Sequence, residues 1–350
     1  VSGFLDQMAL GSRERARAAM MVEPLQALRA RCRDLPPPAA LARAGGFDLI
    51  AELKLRSPAL GDLGTAGDDR GARVMAYARA GAAAVSVLTE PSRFAGSLDH
   101  LRAAATALAP LGVPAMRKDF LVDPYQLYEA RACGAGGALL IVRMLPRGLL
   151  AEMLDCAREL GLFVLIEAFD EEDIDTAVDA LCQRRPGAYE PRAALSTHGV
   201  PPVAPKGRKS LPEGHRSSSG CLEREVPPPS RRGEDDGDLP VERVSAFRAS
   251  GEVPGVESRA SSAVNDILIG VNSRDLQTLQ VVPERLEQLA PLLPGDMPRV
   301  AESGLETADD AARMVRAGYD MALVGGALMS APDPGALVAA MLAAGRAAAA

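Results

Sequence analysis

Eight short apolar runs recur along this chain with helical stretches between them: DLIAEL (48–53), AVSVL (84–88), PAMRK (114–118), GALLIV (137–142), LFVLIE (162–167), DILIGVN (266–272), PRVAES (298–303) and MALVGG (321–326). Their centres lie roughly 24 to 36 residues apart, the length of a βα unit, except for one gap of about a hundred between the fifth and sixth. Near-continuous Val, Ile and Leu strands alternating with helices indicate a parallel sheet covered on its outer side. Eight such units predict an α/β fold, a closed (β/α)8 TIM barrel.

The long gap has a compositional cause. Over residues 183–262 Pro, Gly and Ser dominate, as in Pro227-Pro228-Pro229 and Ser217-Ser218-Ser219-Gly220, and hydrophobic periodicity disappears. This segment is expected to be a disordered insertion between the fifth helix and the sixth strand, on the stability face of the barrel. Residues 1–182 and 263–350 then form a single catalytic barrel of ordinary size. Residues 3 to 20, with Phe4, Leu5 and Met8 on one face, predict an extra N-terminal helix packed across one barrel mouth. After Asp333-Pro334 the Ala-rich pattern predicts a last helix with a frayed polyalanine tail.

Composition excludes several roles. With 350 residues, 47% hydrophobic, the chain has ample material for one large core. A net charge of -7 repels polyphosphates and anionic lipid, and 3% aromatic residues with no Trp leave little for base stacking, so no nucleic-acid or membrane partner is expected. Five cysteines, Cys32, Cys133, Cys156, Cys182 and Cys221, form no C-x-x-C pair, which argues against a disulfide framework or structural zinc. Asp6 precedes any apolar signal core and no apolar run approaches the ~20 residues of a membrane span, so a cytoplasmic location is expected.

Charge gathers at one end of the strands. Glu52, Lys54, Lys118, Glu167, Asn272, Arg274 and Glu302 all stand at or just beyond a C-terminal strand end, where barrel enzymes keep their catalytic groups. Glu52 and Lys54 alternate on one strand and so face the same way; a structural ion pair is the competing reading. A Lys near a Glu in a water-poor mouth makes an acid/base pair, with burial and partner charge expected to bring both pKa values toward neutrality. Glu302-Ser303-Gly304 after the seventh strand and Gly325-Gly326 after the eighth are small enough for backbone N–H groups to approach a phosphate, although a tight turn would use the same residues. Three histidines, two of them in the insertion, argue against a histidine metal site or a Ser-His-Asp triad. Dinucleotide and nucleoside-triphosphate fingerprints are absent, so chemistry by Lys and Glu on a small phosphorylated anion is expected, with no cofactor and no metal.

Several runs together carry a family resemblance: IAELKLRSP (50–58), SVLTEPSRFAGSL (86–98), MRKDFLVDPYQLYEARACGA (116–135), VLIEAFDEED (164–173), IGVNSRDL (269–276), AESGL (301–305) and ALVGGALM (322–329). In this order they resemble indole-3-glycerol phosphate synthase over essentially all of the chain except the insertion. The resemblance implies closure of the pyrrole ring of 1-(2-carboxyphenylamino)-1-deoxyribulose 5-phosphate, with release of carbon dioxide and water, in tryptophan biosynthesis and without a cofactor. It implies Lys118 as general acid toward the ribulose carbonyl and Glu167 as acid/base in the dehydration, with Lys54 and Glu52 completing the proton-transfer set. Asn272 and Arg274 would position the substrate, Phe94 and Phe120 would line its anthranilate ring, and Glu302 and Ser303 would face the ribulose hydroxyls. Ser57, Gly304, Gly325 and Gly326 would surround the phosphate. Ala59 and Gly326 depart from the usual family pattern, at a cost of about 1 kcal/mol per lost hydrogen bond. A monomer is expected. The competing readings are another phosphosugar barrel such as phosphoribosylanthranilate isomerase, and a non-catalytic barrel scaffold.

Overall fold

The computed structural model describes residues 3–59, 61–63, 69–182, 267–276 and 278–350. The insertion expected over 183–262 lies outside the described residues, as do Cys221, His198 and His215.

Each apolar run forms a strand. They are β1 (Asp48–Leu53), β2 (Ala84–Leu88), β3 (Ala115–Lys118), β4 (Gly137–Ile141), β5 (Phe163–Ala168), β6 (Ile267–Asn272), β7 (Arg299–Glu302) and β8 (Met321–Val324). Every neighbouring pair is parallel and β8 closes on β1 through Asp48↔Met321 to Ala51↔Val324, which makes a closed barrel. The long gap does not interrupt it: β5 pairs with β6 in register from Val164↔Ile267 to Ala168↔Val271. The strands are buried almost throughout because helices cover their outer faces. Ala, Leu, Val and Ile supply most of the core, as a chain this poor in aromatics requires.

The N-terminal helix α1 (Phe4–Val22) runs two residues beyond its expected end, and a second helix that the sequence reading missed, α2 (Leu25–Arg33), follows directly. Pro24 separates them, since it lacks the N–H that a continuous helix would need there. The covering helices are α3 (Arg70–Arg79), α4 (Pro91–Phe94), α5 (Leu98–Leu108), α6 (Tyr125–Ala132), α7 (Arg147–Glu159), α8 (Glu171–Cys182), α9 (Glu284–Leu289), α10 (Ala308–Ala317), α11 (Gly326–Ser330) and α12 (Pro334–Ala349).

The frayed tail expected after Asp333-Pro334 is corrected. Helix α12 continues to Ala349 because its last turns are anchored to the barrel. Gly345 lies so close to the Phe47 ring that a Cβ would not fit, and the Arg346 guanidinium donates to the Phe47 carbonyl at 3.1 Å and to Asp48 at 3.2 Å. Cys32, Cys133 and Cys156 are buried free thiols and Cys182 is an exposed one. Among the described residues no helix is long and apolar enough to cross a membrane.

Candidate active site

A cavity of about 620 Å³ opens at the C-terminal ends of the strands, and every candidate catalytic, substrate-binding and phosphate-binding residue named above lines it. Its size suits a small-molecule ligand. Because side chains alternate along a strand, the last inward-facing position of each strand delivers one group to the same floor. Glu52 comes from β1, Lys118 from β3, Glu167 from β5, Asn272 from β6 and Glu302 from β7.

Two ion-paired groups form that floor. Lys54 Nζ lies 2.7 Å from Glu52 Oε1, as their alternation on one strand predicts. Lys118 Nζ donates to Glu167 Oε2 and to Glu302 Oε2, both at 3.1 Å. One ammonium therefore serves two carboxylates, and Glu302 stands in the same ion-paired group as Glu167. Glu302 Oε1 is buried with no hydrogen-bond partner among the described residues and presses on Gly270, where a Cβ would not fit. Gly325 does the same for Glu52: its missing side chain is the space that the Glu52 carboxylate occupies.

The electrostatics correct one expectation. Burial by itself would lower the pKa of Lys118, but the carboxylates of Glu167, Glu302 and Glu52 outweigh it and hold the ammonium above its ordinary range, away from neutrality. Burial pushes the Glu302 carboxyl well above the ordinary range; Lys118 opposes that shift and the charge on Glu167 adds to it. Glu52 moves the other way: burial would raise it, but Lys54, Lys118 and Arg274 together hold it low. The resting site thus stores a proton on Lys118 and disfavours a second one leaving Glu302.

Glu302 also yields a stability prediction. A carboxyl with a raised pKa keeps its proton in the folded state after the unfolded chain has released it, so stability falls as pH climbs from about 4.5 through the raised value. Glutamine resembles the protonated carboxyl and has no such dependence. Glu302→Gln should therefore raise the melting temperature at pH 8, with the gain shrinking as pH falls toward the ordinary carboxylate range. Calorimetry across that range checks this, and a gap independent of pH would count against it.

On one side of the floor stands an aromatic wall. Phe94 and Phe120 have ring centroids 6.1 Å apart, and Phe4 of α1 meets Phe120 edge-on at 5.8 Å. Helix α1 thus packs across the catalytic mouth, and Phe4 lines the cavity, a role the sequence reading did not give it. The opposite side is built from small residues. Ser303 (φ 71) and Gly304 (φ 75) are successive left-handed residues, unusual for Ser, and Gly325 precedes the short α11 that begins at Gly326. Buried Ser57 accepts from the Ala59 N–H at 3.3 Å, so the first strand's loop is held by its own hydroxyl.

Asn272 and Arg274 first organise their own loop. Asn272 Oδ1 accepts from the Arg274 N–H at 2.9 Å, and Arg274 Nη1 donates to the Leu279 carbonyl at 2.6 Å. Burial lowers the Arg274 pKa while Glu52 opposes the change. A floor of paired lysines and glutamates between an aromatic wall and a small-residue rim can hold a ligand that is aromatic at one end and anionic at the other. It can exchange protons with the atoms between.

Comparisons with known proteins agree with one another. The family model described as indole-3-glycerol phosphate synthase matches residues 10–184 and 256–341. An indole-3-glycerol phosphate synthase of Nocardioides sp. is 34% identical over 333 residues, covering 94% of each chain. That of Mycobacterium avium is 32% identical over 344 residues, covering 97% of this chain and 94% of its own. The Mycobacterium tuberculosis enzyme of the same name shows the same identity and coverage.

Proposed function

Because the chain belongs to the indole-3-glycerol phosphate synthase family, we propose that its cavity closes the pyrrole ring of 1-(2-carboxyphenylamino)-1-deoxyribulose 5-phosphate to give indole-3-glycerol phosphate. The reaction is that of a carbon–carbon lyase of the carboxy-lyase type, serving tryptophan biosynthesis. The carboxylated ring carbon bonds to the ribulose carbonyl carbon while the carbonyl oxygen takes up a proton. Carbon dioxide then leaves the ring carbon, and loss of the new hydroxyl as water, with a proton given up by the adjoining sugar carbon C1, completes the pyrrole.

The observation that carries this reading is the placement of Lys118 between Glu167 and Glu302, with the aromatic wall on one side and the small-residue rim on the other. Lys118, held protonated, is placed to donate to the carbonyl oxygen as negative charge develops there. Glu167 serves the dehydration, with Glu302 beside it, and the Glu52–Lys54 pair completes the set. Phe94, Phe120 and Phe4 hold the aryl ring. Arg274 and Asn272 orient the substrate, with Arg274 and Lys54 suited to its carboxylate. Ser57, Gly304, Gly325 and Gly326 receive the phosphate, and Ser303 faces the sugar hydroxyls.

Indole fluorescence after adding the carboxyphenylamino deoxyribulose phosphate to the purified protein tests the reading. Product is expected with no metal or nucleotide supplied and after exhaustive chelation, because the reacting groups are Lys, Glu, Arg and Asn. Absence of product, or isomerisation of phosphoribosylanthranilate instead, would overturn it.

A further inference from the structure

One face of α1 makes a contact with the barrel at each successive turn, beginning at the mouth. Phe4 meets Phe120, Met8 is buried, and fully buried Ser12 accepts from Gln126 Nε2 at 2.9 Å. Arg15 ends the row. Its Nη2 donates to Asp119 Oδ1 at 2.8 Å and its Nη1 lies 3.6 Å from Glu90 Oε1. Both carboxylates are only 1% exposed, whereas Arg15 reaches them from the partly open side at 32%.

Each of these anions holds the backbone of one wall residue. Asp119 Oδ1 accepts from the Phe120 N–H at 2.8 Å, and its Oδ2 accepts from Thr89 Oγ1 at 2.7 Å. Glu90 accepts from the N–H groups of Ser92, Arg93 and Phe94 at 2.9, 2.6 and 3.3 Å. Arg117, also near Asp119 at 3.3 Å, is shared with Glu129 at 3.0 Å. Arg15 therefore joins the loop after β2 to the loop after β3, and through their carboxylates it sets the spacing of Phe94 and Phe120. Without Arg15, Asp119 would keep the Arg117 guanidinium that it shares with Glu129 and Glu90 would keep its backbone donors, but the charge that ties the two carboxylates together would be gone, and each would be drawn toward water with the ring whose backbone it holds.

We propose that Arg15, from outside the barrel strands, is a positioning residue for the aryl half of the substrate; this rests on the synthase reading above. It does not reach the lysine and glutamate floor, so its loss should weaken aryl binding without changing the chemical step. Binding that is equal in ground and transition states appears in KM and not in kcat.

Arg15→Met should raise KM for the carboxyphenylamino deoxyribulose phosphate about tenfold, with kcat within about threefold of wild type. Competitive inhibition by inorganic phosphate, which probes only the other end of the cavity, should stay within about twofold. Arg15→Lys, whose ammonium reaches one carboxylate at a time, should give an intermediate KM. An unchanged KM in folded Arg15→Met, or a phosphate constant that rises in proportion to KM, would overturn the inference. Should Arg15→Met not fold, Arg15→Lys decides: a KM raised about two- to fivefold with an unchanged phosphate constant supports the role, and a wild-type KM refutes it. Turnover by the wild type tests the synthase reading itself, and the variants bear on Arg15 alone.

Discussion

Lys118→Met loses at least about a hundredfold in kcat while the barrel stays folded, an effect as large as any expected from a single residue of the site. A hundredfold corresponds to about 2.7 kcal/mol of transition-state stabilisation, the ordinary contribution of one positioned acid. Methionine keeps most of the lysine stem and its volume, so packing against the strand ends survives. The Nζ that donates to Glu167 and Glu302 at 3.1 Å is removed, and with it the proton offered to the carbonyl oxygen. Two buried carboxylates without their cation would ordinarily cost several kcal/mol, but burial and Glu167 already favour the protonated form of Glu302. The pair sheds its repulsion by keeping that proton, so the fold is spared. Steady-state indole fluorescence beside circular dichroism checks the prediction. A folded variant with near-normal kcat would remove Lys118 from the mechanism.

The strands were legible because each is buried on both faces and so reads as a continuous apolar run that needs no partner information. The floor was legible for the same reason: a charge that closes such a run, as Glu167 closes LFVLIE, stands out against its own strand. What the sequence did not disclose depends on closure of the barrel. Lys118 on β3 meets Glu302 on β7, 184 positions away, and no local pattern predicts that one ammonium bridges two carboxylates. The expected drift of Lys118 toward neutrality failed for this reason, since it counted one neighbouring carboxylate where three act. Gly325 was assigned by its smallness to a phosphate, and only closure of the barrel shows that its missing side chain also makes room for Glu52 from the strand that pairs with β8. Phe4 had the right helical face, and its neighbour Phe120 was already assigned to the aryl ring. Only the path of α1 across the mouth joins them.

Glu167→Gln should also lose at least about a hundredfold in kcat, with KM nearly unchanged. Glutamine keeps the shape of the carboxylate and an oxygen able to accept from Lys118 at 3.1 Å, so the ammonium and the cavity walls stay in place. What disappears is the ability to take and return a proton during dehydration. Glutamine also removes the negative charge that helps raise the neighbouring carboxyl, so Glu302 becomes easier to ionise beside Lys118. Glu302 then becomes the nearest stand-in base, and the residual turnover of Glu167→Gln should pass through it. Adding Glu302→Gln to that variant should abolish most of the remainder, so the two substitutions will not combine additively, as expected of groups that share one cation. Near-normal kcat in folded Glu167→Gln would remove Glu167 from the proton transfers. Strict additivity in the double variant would mean that the two carboxylates bound to Lys118 act independently.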